Sequence, residues 1–345
     1  MTRFHTSRII PVAVLALAAA VPAATAVAAP AAAATTTYTI TDLGSLGYGI
    51  SDGLAINANG QVTGYSYLST QIQVTCPPRQ YGQQKKCYIH PYHAFLYSHG
   101  TMTDLGTLGG NNSQGLSVNL SAQVVGLADT KTGFSDFLWN GKTMTDLSPM
   151  GAYAINDFGQ IAGACGSPSR ACLDVNGTIT PLPDPSNTAI TNCSASAINN
   201  DGQMAGTCDD TSSYLHAVLW QNGTATDLRT LAGPQASATA INNNVQVVGW
   251  AQTSTDADHG FLYSDGTMTD LGLNFFPAAI NDNGVIVGGP LIYSGGTLQN
   301  LNNLIPAGSP YQINYATGVN NNGQIVANAY DTTTYQTRAL LLNPS

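Results

Sequence analysis

The stretch Ala197-Ile198-Asn199-Asn200-Asp201-Gly202-Gln203-Met204-Ala205-Gly206 recurs as near copies from one end of the chain to the other. The copies begin at Ala55, Ser117, Ala154, Ala197, Ala240, Ala279 and Gly318. Their asparagines, Asn57, Asn119, Asn156, Asn199, Asn242, Asn281 and Asn320, stand 62, 37, 43, 43, 39 and 39 residues apart. A period near 40 residues is the mark of a repeat architecture, so the fold is read from the repeat before anything else.

Each repeat carries two signals. The first is the Asn-x-x-Gly block, as in Asn57-Ala58-Asn59-Gly60, which brackets a tight turn between two short apolar runs. The second runs through His93-Ala94-Phe95-Leu96-Tyr97, turns at His99-Gly100 and leaves through Thr101-Met102-Thr103-Asp104-Leu105. Its relatives turn at Asn140-Gly141, Asn176-Gly177, Asn222-Gly223 and Asp265-Gly266. These pairs are strong hairpin signals because both residues accept positive φ. Every repeat therefore reads as four strands, a to d. Strand a is short and small-residued, b and c are continuous apolar runs, and d alternates, as a half-wet outer strand should. Four-stranded sheets repeated radially make a β-propeller.

The chain ends predict how the ring closes. The segment Tyr38-Thr39-Ile40-Thr41-Asp42-Leu43 reads as a d strand with no a, b or c before it, and Arg338-Ala339-Leu340-Leu341-Leu342 as a c strand with no d after it. The first segment should complete the seventh blade beside the last strand. The expected fold is all-β, a seven-bladed propeller of four-stranded antiparallel blades over residues 36–345, with an insertion at 65–92.

Residues 1–35 read as a cleaved signal peptide. Arg3 and Arg8 precede an apolar run from Ile9 to Ala20, and small residues from Ala26 onward offer a cleavage site. The expected location is therefore extracellular, with no membrane insertion after cleavage and a monomeric state. Six cysteines fit an oxidising compartment and fall into local pairs, Cys76 with Cys87, Cys165 with Cys172 and Cys193 with Cys208. Each bond would close one small loop, worth about 3 kcal/mol. Only 8% of residues are charged, there is no Glu, and the formal charge is -9. That balance gives no footprint for nucleic acid or anionic lipid.

The His-Ala-Phe at His93 to Phe95, followed by Asp104 to Gly110 (Asp-Leu-Gly-Thr-Leu-Gly-Gly) and the Asn-turn block, resembles the extracellular repeats called the HAF family. The full triplet occurs once, with His216-Ala217-Val218 and His259-Gly260-Phe261 as near copies. The resemblance implies an exported repeat protein and carries no catalytic residues with it.

Residues that recur in every blade are expected to hold the blade together. That applies to the seven asparagines, which should cap their own turns, to Asp42, Asp104, Asp146, Asp227 and Asp270 on strand d, and to His93, His216 and His259. Tyr97, Trp139, Trp220, Tyr263 and Tyr293 share one aligned position and read as core. Function is expected where the repeats differ, on the face of the b-to-c and d-to-a connections, whose lengths vary widely. The candidate ligand-binding residues there are Arg79, Tyr81, Lys85, Lys86, Tyr88 and Tyr92 in the insertion, with Phe275, Phe276, Tyr311 and Tyr315 beside it. Rings that stack and cations that pair suit a sugar or an acidic protein.

No catalytic residue is assigned. The chain lacks a G-x-S-x-G elbow and an H-E-x-x-H helix, and a two-carboxylate glycosidase would have to use Asp alone. No cofactor or metal is expected: the loops holding Asp209, Asp210, Asp256 and Asp258 read as ordinary polar loops, calcium being the ion their oxygens would suit, without a full ligand ladder. The reading is a non-catalytic binding module for a polysaccharide or surface protein. An Asp-dependent polysaccharide-cleaving enzyme and a structural extracellular repeat protein are the alternatives. Three or more carboxylates converging at the channel mouth would favour the enzyme.

Overall fold

The structure, a computed structural model, describes residues 36–75, 86–186 and 190–345. Residues 1–35, which read as a signal peptide, lie outside the described residues. The described chain forms seven four-stranded antiparallel sheets and one two-stranded hairpin. Blade 1 is Gly47–Ile56, Val62–Leu68, Tyr92–Ser98 and Thr101–Asp104 in sheet order, and blades 2 to 6 repeat that meander. The hairpin Ile72–Thr75 with Lys86–Ile89 is inserted between strands b and c of blade 1.

Blade 7 is Tyr311–Val319, Ile325–Asp331 and Gln336–Pro344, completed by Tyr38–Asp42 from the chain's other end. Ile40 pairs with Leu342 and Thr41 with Leu341. The Tyr38 N–H also donates to the Leu304 carbonyl at 2.8 Å, tying the closing strand to the connection from blade 6.

The core is not one cluster but seven, one at each blade-to-blade interface. Phe95 and Tyr97 of blade 1 pack with Val326 and Leu341 of blade 7, while Ala94 and Leu96 pack with Val118 and Phe137 of blade 2. Successive residues of strand c thus face different neighbours, which is why this strand is apolar throughout instead of alternating. The recurrent aromatic position behaves as expected: Tyr97 and Trp220 are buried, and Trp139, Tyr263 and Tyr293 pack against their clusters. Blade 3 breaks the pattern with Asp174 at that position, buried and with Oδ1 lacking a hydrogen-bond partner.

Strand a carries a register shift in six blades, for instance between Gly53 and Ala55 and between Ala238 and Ala240. Opposite it stands the glycine that ends the Val-Val-Gly run. A Cβ on Gly249 would collide with the Ser237 carbonyl oxygen, and one on Gly206 with that of Ser194. The glycine therefore serves close strand approach at the bulge.

The seven asparagines do cap their turns. Asn199 Oδ1 accepts from the Asp201 and Gln203 N–H groups at 3.1 and 2.9 Å. They also do something the repeat did not announce. Each Nδ2 donates to the main-chain carbonyl of the same asparagine in the next blade, from Asn57 to Asn119 at 2.8 Å and on around the ring. Asn320 returns the circuit to Asn57 at 3.1 Å. The turns need positive φ at their fourth residue, supplied by glycine in five blades but by Ala122 (φ 59°) and Val245 (φ 60°) in the other two. Ala122→Gly is expected to stabilise the fold by about 1 kcal/mol, because an L-residue in the left-handed region costs roughly that much. Urea unfolding would measure it, and an unchanged or lower midpoint would mean that unfolded-chain entropy outweighs the relief.

Two of the expected disulfides form. Cys165–Cys172 spans the b-to-c turn of blade 3, and Cys193–Cys208 links cross-strand partners in blade 4. Cys87 is disulfide-bonded, while Cys76 lies outside the described residues.

Candidate functional site

The two ends of the propeller differ. On the a-to-b turn face, a cavity of about 190 Å³ is lined by six of the seven turn asparagines, all but Asn119, together with the apolar residues just before the turns and most of the residues just after. It is smaller than the several hundred Å³ typical of a small-molecule site. Its two carboxylates, Asp157 and Asp282, are already engaged. Asp157 accepts from the Leu120 N–H and the Asn200 amide, and Asp282 from Asn243 and Asn321. The three converging carboxylates that would favour an enzyme are not found among the residues lining this mouth.

The b-to-c face is richer in exposed rings. Of fifteen exposed large hydrophobic residues among those described, nine belong to b-to-c turns, d-to-a connections or the strand ends beside them; four lie at the opposite end and two lie mid-strand. Phe134, Tyr214 and Tyr335 stand at b-to-c turns of blades 2, 4 and 7, with Tyr335 74% exposed.

Blade 1 holds the densest feature. Tyr65, Tyr67 and Tyr92 form a triangle with ring centroids 5.1, 5.5 and 6.2 Å apart, all mutually tilted. Tyr48 lies 6.5 Å from Tyr67 and stacks on His90 at 3.6 Å. Five of the six aromatic ring pairs among the described residues belong to this one cluster. Strand pairing explains its assembly: Tyr65 and Tyr67 alternate on strand b, Tyr92 opens strand c opposite Tyr67, and Tyr48 sits at the start of strand a. His90 is the residue after the inserted hairpin, fixed by a bond between Nδ1 and the Leu68 carbonyl and by the Gln71 amide on Nε2.

Carboxylates border the rings. Burial pushes the Asp52 carboxyl up, partly offset by the Tyr65 hydroxyl that donates to it. Burial and the adjacent Asp52 raise the Tyr65 phenol in turn. Burial and the Asp129 charge raise Tyr92. Further round, burial raises Asp136, which accepts from the Ala152 N–H, and burial beside Asp136 raises Tyr153.

The residues singled out from the sequence fare differently. Tyr92 is in the cluster. Arg79, Tyr81 and Lys85 lie outside the described residues, and Lys86 is placed only by its backbone, paired with Thr75. Tyr88 is 64% exposed on the hairpin, Phe276 48% and Tyr315 64%. Phe275 has to be corrected: it is fully buried with Val248, Leu271, Ile280 and Ile286 and presents no surface to a ligand. Tyr311 is half-buried, its hydroxyl bonded to Asp42, and its phenol is pushed up to about 12 by burial and by that carboxylate.

Tyr48, Tyr65, Tyr67, His90 and Asp52 were missed. The available signal was tyrosine density, since six of the sixteen tyrosines fall between Tyr48 and Tyr92. The repeated histidines have the structural partners expected of them. His93, His216 and His259 each bond through Nδ1 to the strand-d aspartate, at 2.8, 3.0 and 2.9 Å. Among the calcium candidates, the Asp210 carboxylate is taken by the Ser212 and Tyr214 N–H groups, and Asp258 Oδ1 is buried without a partner. Among the described residues, no group of three or more His, Cys, Asp or Glu converges.

Several turn carboxylates set an acid limit on the fold. The Ser135 hydroxyl lowers Asp146, the Tyr214 N–H lowers Asp210, and the Thr333 and Thr334 hydroxyls hold Asp331 well below its ordinary 3.8. A depressed folded-state pKa contributes stability above the ordinary value, which is lost as pH falls through the folded pKa. Asp52 and Asp136, both raised, act in the opposite sense but are fewer. The melting temperature is expected to fall below about pH 4, and Asp331→Asn to flatten part of that fall. A calorimetric series across pH checks both.

No family model matches the chain, and no curated protein matches it in sequence. Solved structures do match in shape. TolB from Acinetobacter baumannii is 10% identical over 74% of this chain and 60% of its own, with a TM-score of 0.42. A puromycin hydrolase mutant complexed with PGG is 12% identical over 85% of this chain and 54% of its own, with a TM-score of 0.50. The BP39L lectin from Burkholderia pseudomallei is 11% identical over 86% of this chain and 93% of its own, with a TM-score of 0.43. At such identities the likeness concerns the fold alone.

Proposed function

We propose that the mature chain is a secreted, non-catalytic binding module whose ligand, a polysaccharide or surface protein, sits on the b-to-c face. The observation that carries this reading is the partly buried tyrosine cluster of blade 1 with Tyr48 exposed at its edge, beside the inserted hairpin, on the face where exposed rings concentrate among the described residues. Exposed rings on a rigid scaffold suit recognition, since Tyr supplies contact area at low entropy cost. Export is supported by the signal-like residues 1–35, the HAF resemblance and two disulfides, which persist in oxidising compartments. No described helix is long and apolar enough to cross a membrane.

A glycan array together with a pull-down from culture supernatant tests the reading. Retention of a glycan or a defined surface protein is expected, competed by antibody fragments raised to the b-to-c face. Silence in both assays would overturn it.

A further inference from the structure

The geometry of the blade 1 cluster narrows the ligand chemistry, resting on the binding-module reading above. The triangle of Tyr65, Tyr67 and Tyr92 is closed on itself. A cation held over several rings sits within about 6 Å of each centroid and needs open space between them. Rings 5.1 to 6.2 Å apart and mutually tilted pack against each other instead. The cluster is therefore a platform, not a cage.

Its outward element is Tyr48. His90 covers one side of that ring in a stacked arrangement 22° from parallel, yet Tyr48 stays 42% exposed. A supported ring of this kind offers a flat apolar surface whose orientation is already fixed, so stacking a ligand on it costs little ordering entropy.

The border is polar and rich in acceptors. The Asp52 carboxylate accepts from the Tyr65 hydroxyl, and the Gln71 amide bonds the His90 that stacks on Tyr48. The Tyr48 and Tyr67 hydroxyls make no hydrogen bond to a described residue. Such a border is matched by a ligand that carries both donors and acceptors along one edge. A polyproline segment, the other common occupant of tyrosine surfaces, offers few donors. Among the described residues, the charges that bear on the rings, Asp52 and Asp129, are both negative, which disfavours a uronate or sulfated ligand.

We propose that Tyr48 stacked on His90, with Tyr67 and Gln71 beside it, is a subsite for a neutral pyranose of a polysaccharide. The C–H face of the sugar lies on the Tyr48 ring, and its hydroxyls exchange bonds with Gln71 and the tyrosine hydroxyls.

The test titrates the chain of residues 36–345 with neutral gluco-, xylo-, manno-, galacto- and N-acetylglucosamine oligosaccharides, using calorimetry and saturation-transfer NMR. Alginate, heparin and a decaproline peptide serve as comparison probes. At least one neutral oligosaccharide should bind and lose tenfold or more in affinity in Tyr48→Ala. Tyr48→Phe should lose less, and Tyr335→Ala on blade 7 nothing. Unchanged melting temperatures would show that the variants fold. If neutral sugar binds the wild type and Tyr48→Ala equally, the subsite is wrong while the module reading survives. A preference for alginate, heparin or decaproline overturns the neutral-sugar assignment. If the wild type binds none of these probes, nor anything on the array or in the pull-down, both fail.

Discussion

Asn199→Ala is expected to destabilise the propeller by about 3–5 kcal/mol, a large share of the ~5–15 kcal/mol that holds a domain together. The buried Asn199 side chain makes four hydrogen bonds. It accepts two turn N–H groups and donates to Gln203 Oε1 at 2.6 Å and to the Asn242 carbonyl at 3.0 Å. Truncation strands those partners, and a buried polar group left unpaired costs more than a made bond contributes. Asn281 supplies an internal control, because Val285 stands where the other blades have Gln, so its Nδ2 has only the Asn320 carbonyl. Asn281→Ala should therefore cost less.

Asn199→Asp sharpens the test. The carboxylate keeps both acceptor roles but aims at two oxygens where the amide donated. That arrangement raises its folded-state pKa, so the variant should be weak at neutral pH and regain stability as pH falls and the acid donates. Urea unfolding at two pH values reads both effects. Equal midpoints for the alanine variant and the parent would remove the asparagine circuit from the account of the fold.

Removing residues 36–43 should be comparably severe. The closing strand buries Tyr38 and Leu43, half-buries Ile40 and pairs five residues with the last strand. Three apolar side chains at roughly 1.5–3 kcal/mol each approach the whole stability of a typical domain. Their loss also leaves an unpaired apolar edge at Leu340 to Leu342, a template for aggregation. The shortened chain is expected to lose its cooperative melt or precipitate, and a synthetic peptide of residues 36–44 to restore the melt in trans. A shortened chain that melts like the parent would show that the Velcro-like closure contributes nothing.

Much of the architecture was readable because it is periodic. The asparagine spacing counted the blades, the orphan strands at 38–43 and 338–342 named the closing pair, and Cys165, Cys172, Cys193 and Cys208 paired locally. All of these depend on contacts within one repeat or on a pattern repeated along the chain. Phe275 and Phe276 show the limit. Both lie in the d-to-a connection between Leu273 and Ala279, where no repeat pattern applies, and the path of that connection alone turns Phe275 into the core and leaves Phe276 exposed.

The sequence by itself determined the repeat unit, the number of blades and the strand that closes the ring, because hydrophobic periodicity and turn chemistry are local properties. Tertiary structure alone decided what each repeated residue meets. The Asn57 amide finds its acceptor 62 residues away, and the Asn320 amide reaches back 263 residues. The tyrosine platform likewise gathers Tyr48, Tyr65, Tyr67, His90 and Tyr92 from three strands and the exit of an inserted hairpin. Partners of that kind are set by how blades pack and where strands fall in register, and neither is encoded in any single repeat.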